Sequence, residues 1–107
     1  MNLAQLLHQA ADRFADNPAL IQGDISYSWS QMRSRVENVA AELANRGIGK
    51  GDKIVVQSRN SVAMFESMFV CWTLGAVWVP VNFRLKENEV AYIAKSSGAS
   101  ALFYESV

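Results

Sequence analysis

Residues 60–85 of this chain, NSVAMFESMFVCWTLGAVWVPVNFRL, put an apolar helix, a buried strand and a polar exit in direct succession. Residues 62–74 are apolar on almost every side, so the helix they form needs neighbours on more than one side. Those neighbours are expected to be later segments of a longer chain or a second copy of this one. Gly75 stops the helix, and 76–81, rich in Val and Trp, reads as a strand buried on both faces. The stretch 62–81 is long enough to suggest a membrane span, but Glu66, Ser67 and Thr73 interrupt it. Gly75 and Pro80 divide it further, so it reads as the core of a layered domain.

The surrounding pattern has the same character. Ile54-Val55-Val56 forms a short apolar strand, 87–96 a helix and 101–104 a further strand. Strand, helix, strand, helix and strand with short connections imply a parallel sheet joined by right-handed crossovers. Upstream, Leu3, Leu6, Leu7, Ala10 and Phe14 fall on one helical face, predicting an amphipathic helix over 3–15 that Asn17-Pro18 ends. Residues 19–22 and 25–29 flank Gly23-Asp24, a pair suited to a tight turn, and read as a hairpin. Ser30 has the chemistry to cap a second helix reaching 45, with Met32, Val36, Val39, Ala40, Leu43 and Ala44 as its apolar stripe. The expected fold class is α/β: a partial doubly wound sheet with a parallel β-α-β-α-β core, preceded by an amphipathic helix, a short hairpin and a second helix. Three parallel strands are few for such a sheet, so further structure is expected to extend it.

With 107 residues the chain is one domain at most, and a domain of this size buries roughly two thirds of its unfolded surface. Half of the residues are apolar, and ten acidic side chains balance ten basic ones. That composition excludes disorder and gives no electrostatic hold on nucleic acid. Cys71 is the single cysteine, set in the apolar run MFVCW, and reads as a buried thiol with no disulfide or metal role. The N-terminus carries neither the basic region of a secretory signal nor, with Asp12 and Asp16, the character of a mitochondrial presequence. The expected location is the cytoplasm.

Gly47-Ile48-Gly49-Lys50-Gly51 has the composition of a phosphate-cradling loop, but such a loop follows a strand and opens a helix. Here it follows a helix and opens a strand. Gly47 is read as a helix C-cap and Gly51-Asp52 as a turn. Ligands of open parallel sheets sit beyond the C-terminal ends of the strands. Two polar segments fall there, 57–61 (Gln-Ser-Arg-Asn-Ser) and 82–84 (Asn-Phe-Arg). They line a crevice, or Asn60 or Ser61 caps a helix, Asn82 holds a turn, and Arg59 and Arg84 are solvated or paired with carboxylates. His8 lies at the edge of the first helix's apolar stripe without a catalytic setting. Glu66, inside an apolar helix, requires a basic or N–H partner. Trp29, Trp72 and Trp78 read as core aromatics.

Several of these segments together resemble the N-terminal part of the adenylate-forming acyl-CoA synthetases. The resemblance runs through Pro18-Ala19-Leu20, Ser28-Trp29-Ser30 and 47–52, and is sharpest in GAVWVPVNFRL at 75–85, followed by Glu89, Tyr92 and Ser97. As a set these segments look like the fatty-acid and aryl-acid CoA ligases more than the peptide-synthetase modules. The family resembled makes an acyl-adenylate from ATP and a carboxylic acid, releases pyrophosphate, and forms a thioester when the CoA thiolate attacks.

The resemblance implies ATP, Mg and CoA as the parent enzyme's cofactors, with none bound by residues 1–107 alone. The family's Ser/Thr/Gly-rich phosphate loop ending in Pro-Lys-Gly and the lysine of its C-terminal domain have no counterpart in this sequence. No catalytic residue is therefore carried over, and no metal ligand. In relatives the arginine of the Asn-x-Arg-Leu segment approaches the CoA phosphates, which implies that role for Arg84, and a guanidinium suits the contact. The expected function is thus that of part of a carboxylic acid:CoA ligase, inactive by itself, whose partner is the remainder of the enzyme. The alternative is a stand-alone α/β module that binds a protein partner or forms a homodimer through an open sheet edge after Tyr104.

Overall fold

A computed structural model gives the structure of the protein and describes residues 4–59 and 61–104. The first helix, α1 (Ala4–Arg13), buries Ala4, Leu7 and Ala11. Leu6 and Phe14, expected on the packed face, are exposed, and Leu3 lies outside the described residues. The face that packs is the one whose alanines allow close approach to neighbouring helices, rather than the one with the largest side chains.

A hairpin follows, β1 (Pro18–Gln22) and β2 (Ile25–Ser28), paired antiparallel with an irregularity between Pro18 and Leu20. Gly23 supplies the positive φ of 58° that the turn needs. The second helix, α2 (Trp29–Asn45), starts earlier than Ser30 suggests. Its cap is Ser28, whose Oγ accepts from the Gln31 N–H while the Gln31 side chain accepts from the Ser28 N–H. This reciprocal box satisfies two backbone donors at once, and it moves Trp29 from the hairpin into the helix. Met32, Val36, Ala40 and Leu43 are buried as the stripe requires, Val39 is half-buried, and Ala44 is exposed. Ser28→Ala should lower stability by about 1 kcal/mol, measured by urea denaturation; an unchanged midpoint would mean that the box contributes nothing.

The remaining elements are β3 (Lys53–Gln57), α3 (Ser61–Leu74), β4 (Val77–Val81), α4 (Glu87–Ser97) and β5 (Ala101–Tyr104). The three strands form a parallel sheet in the order β4-β3-β5, with Val55 opposite both Val79 and Leu102. Right-handed crossovers from β3 to β4, and then back across β3 to β5, put α3 and α4 on opposite faces. Burial follows this arrangement. Ile54 and Val56 join the core made with Leu7, Met32, Val36 and Val70, whereas Val55, on the other face, is buried on the side of α4 and its Val90. The fold is the expected α/β class.

α3 is packed within the chain by α1, α2 and the sheet, while its Met64, Phe65, Met68, Trp72 and Leu74 stay only half-buried. The face holding α4 is less covered, and Val77, Leu102 and Tyr104 are exposed there. At the sheet's edges, β4 carries Pro80, which has no N–H for a ladder, while β5 carries no proline. Among the described residues, no helix is long and apolar enough to cross a membrane.

Candidate functional site

The loops after β3 and β4 meet at the C-terminal edge of the sheet through one side chain. Gln57, the last residue of β3, donates from Nε2 to the carbonyls of Asn82 (3.2 Å), Phe83 (3.3 Å) and Leu85 (3.0 Å). The β4–α4 connection is thereby fixed to the central strand. Within that connection the Asn82 Oδ1 accepts from the Arg84 N–H at 2.9 Å, the side-chain turn expected of Asn82. Leu85 N–H closes onto the Asn82 carbonyl at 3.1 Å. The backbone that presents Arg84 is therefore held at three points. Asn60 lies outside the described residues, as does the Ser61 side chain.

Phe83 is about half exposed at this edge, and two guanidinium groups lie against its ring. Arg84 is 5.5 Å from the ring centroid and Arg59, from the β3–α3 loop, 5.7 Å. Both distances fall within cation–π range. Among the described residues, no carboxylate lies within ion-pair distance of Arg84. A second feature of the same edge is a cavity of about 170 Å³ lined by Gln57, Ser58, Ala63, Phe103 and Tyr104 among others. It opens between the ends of β3 and β5, where the strand order turns back on itself and ligands of such sheets gather.

The glycine–lysine loop is at the opposite end of the sheet, before β3, and its chemistry is already engaged. Asp52 Oδ2 accepts from the Gly49 N–H at 2.8 Å and Asp52 Oδ1 from the Ser100 hydroxyl at 2.9 Å. These bonds, Gly49 first, hold the Asp52 carboxyl below the usual carboxylate range. An internal carboxylate thus takes a backbone donor that a phosphate would need. The C-cap is Arg46, with Gly47 following it at φ 87°.

Glu66 finds its partner in α2. Arg35 Nε donates to Glu66 Oε2 at 2.7 Å, and the same guanidinium lies 4.6 Å from the Tyr27 ring centroid. The hydrogen bond to Glu66 raises the Arg35 pKa above its ordinary value. With Ile25, Tyr27 and Phe103, the pair lines a second cavity of about 280 Å³ beside β5. His8 Nδ1 is 3.7 Å from Glu37 Oε1, an exposed neighbour on α2 that the sequence did not indicate.

Trp78 Nε1 donates to Ser67 Oγ at 3.1 Å, and Ser67 donates in turn to the Met64 carbonyl at 2.7 Å. Trp29, Trp72 and Trp78 all pack on the core. Cys71 is buried, and burial pushes its thiol up to about 11. Among the described residues no buried side-chain N or O lacks a partner, and no cluster of His, Cys, Asp and Glu could hold a metal. What the described residues of this edge offer chemically is a cationic, aromatic surface beside a small cavity. Arg84 was named from sequence; Phe83 as a platform and Gln57 as a clasp were not, and only the polarity of 57–61 pointed toward the latter.

Comparison with known proteins agrees with this architecture. The chain is 34% identical over 105 residues to a medium/long-chain-fatty-acid–CoA/3-oxocholest-4-en-26-oate–CoA ligase of Mycobacterium marinum, covering 98% of this chain but 19% of the ligase. In structure it is similar to a Mycobacterium tuberculosis fatty acyl CoA synthetase, with a TM-score of 0.87 and 31% identity over 96% of this chain and 21% of the synthetase. It is also similar to the N-terminal subdomain of Klebsiella oxytoca NpsA, with a TM-score of 0.86 and 25% identity over 99% of this chain and 28% of that subdomain. The family model for the AMP-binding enzymes matches residues 7–107, and the chain belongs to that family.

Proposed function

We propose that the chain is the N-terminal part of the large domain of an ATP-dependent carboxylic acid:CoA ligase, inactive by itself, and that it supplies a wall of the CoA site. The observation that carries this reading is the Gln57-clasped loop, which holds Arg84 on the ligand-binding edge of the sheet. It is supported by relatives named as CoA ligases that are about five times longer than the region they share with this chain. ATP, Mg and acid are handled by residues outside 1–107, while Arg84 meets a phosphate group of CoA with a charge-assisted hydrogen bond. The partner of this chain is the rest of the ligase, and the setting is the cytoplasm.

The purified 107-residue chain should catalyse no acid-dependent exchange between ATP and pyrophosphate; measurable exchange would overturn the reading. If the reading frame continues past Val107, its whole product should catalyse both exchange and thioester formation. In that product Arg84→Gln should raise KM for CoA about ten-fold, the loss of one charge-assisted hydrogen bond, with exchange unchanged.

A natural stop codon after Val107 would favour a second reading, a stand-alone module that pairs with another copy through β5. The place of β5 at the border of the described sheet is the observation behind it. Light scattering distinguishes the two, since this reading requires a dimer.

A further inference from the structure

The structure assigns to Arg59 a part in anion binding that the family resemblance does not: Arg59, Phe83 and Arg84 form one site, in which the ring sets two guanidinium groups to take the two phosphates of a diphosphate. This inference rests on the reading of Arg84 as a phosphate contact and extends it to a second cation from a different loop. The two guanidinium carbons lie 5.7 and 5.5 Å from one ring centroid, so they are at most about 11 Å apart. A diphosphate can bridge such a pair if each guanidinium extends toward it by one hydrogen bond.

Three features make the pair more than two neighbouring surface charges. Contact with the Phe83 ring restricts both side chains, which lowers the conformational entropy lost on binding. The Gln57 bonds tie the loop carrying Phe83 and Arg84 to β3, the strand that leads into Arg59, so the distance between the cations is set by the sheet. Arg59 also stands just before the N-terminus of the fourteen-residue α3, whose dipole adds positive potential on that side. Of the two acids in the first turn of α4, Glu89 is engaged internally, its Oε1 accepting from the Lys86 N–H at 3.0 Å, while Glu87 is exposed.

The test is an NMR titration of the 107-residue chain with inorganic pyrophosphate at low ionic strength, following the Arg Nε–H and Phe83 ring signals. Saturable shifts of Arg59, Arg84 and Phe83 together are expected, with affinity falling as salt is added. Arg59→Gln and Arg84→Gln should each weaken binding about ten-fold, and the double variant should weaken it by less than the product of the two, because each single change already breaks the bridge. Phe83→Leu, which keeps both charges, should weaken binding about three-fold through lost restraint of the cations. Lys86→Gln serves as the control for simple charge.

If Arg84→Gln weakens binding and Arg59→Gln does not, the paired site is wrong and the Arg84 reading stands. If Lys86→Gln weakens binding as much as Arg59→Gln, the site is diffuse charge and the pairing is again wrong. Absence of saturable binding would overturn the paired site, while the Arg84 reading stands or falls separately on the KM for CoA of the whole product.

Discussion

Ile54→Ala should destabilise the chain by about 3 kcal/mol, within the range for truncating a buried aliphatic side chain. Ile54 is fully buried in β3, the middle strand of the sheet, with Trp78 beside it on one flank and Ala101 on the other, and beneath it lies the core shared by α1, α2 and α3. Loss of its side chain leaves a cavity that neither neighbouring strand can fill by moving, since both are hydrogen-bonded to β3 along their length. A typical domain is stable by about 5–15 kcal/mol, so the variant loses a large share of what holds it folded. In urea denaturation its midpoint should fall while the slope stays constant. Ile54→Val should cost about 1 kcal/mol. A loss below that value for the alanine variant would mean that β3 is not the central strand.

Arg35→Ala should cost about 2–3 kcal/mol and Glu66→Ala only about 1, although the two changes break the same bond. The asymmetry comes from what each leaves behind. Glu66 has a side chain 13% exposed, so without Arg35 its carboxylate is stranded among apolar neighbours; Arg35 is 46% exposed and retains the Tyr27 ring at 4.6 Å. An apolar replacement of both, Arg35→Met with Glu66→Leu, should recover most of the loss, because neither charge then remains to be solvated. Equal costs for the two single variants in paired denaturation curves would contradict this account.

The elements themselves were readable because hydrophobic spacing reports them locally, and among the described residues β5 covers the 101–104 expected of it. The misplaced cap at Ser30 had a legible alternative: Ser28 and Gln31 stand at the spacing of a reciprocal capping box. The α1 face was misread because Leu6 and Phe14 carry more hydrophobicity than the alanines that pack, and packing here depends on how closely helices approach. The partner of Glu66 is 31 residues away and the carbonyls held by Gln57 are 25 to 28 residues away. Those pairings depend on topology, which brings β3 and β4 side by side and α2 against α3, and local pattern carries no record of them. The candidate site was legible only as polar segments at a sheet edge; its ring, its clasp and its second cation are products of the fold.

Pro80 has a consequence for assembly. A sheet with two open borders can add copies on either side without limit, the arithmetic of a fibre. Here one border has lost a donor and the other has not. Copies joined border to border through β5 would each present the blunted β4 outward, and growth would halt at two. A single imino acid thus steers any self-assembly of this sheet toward a closed pair and away from an endless ribbon.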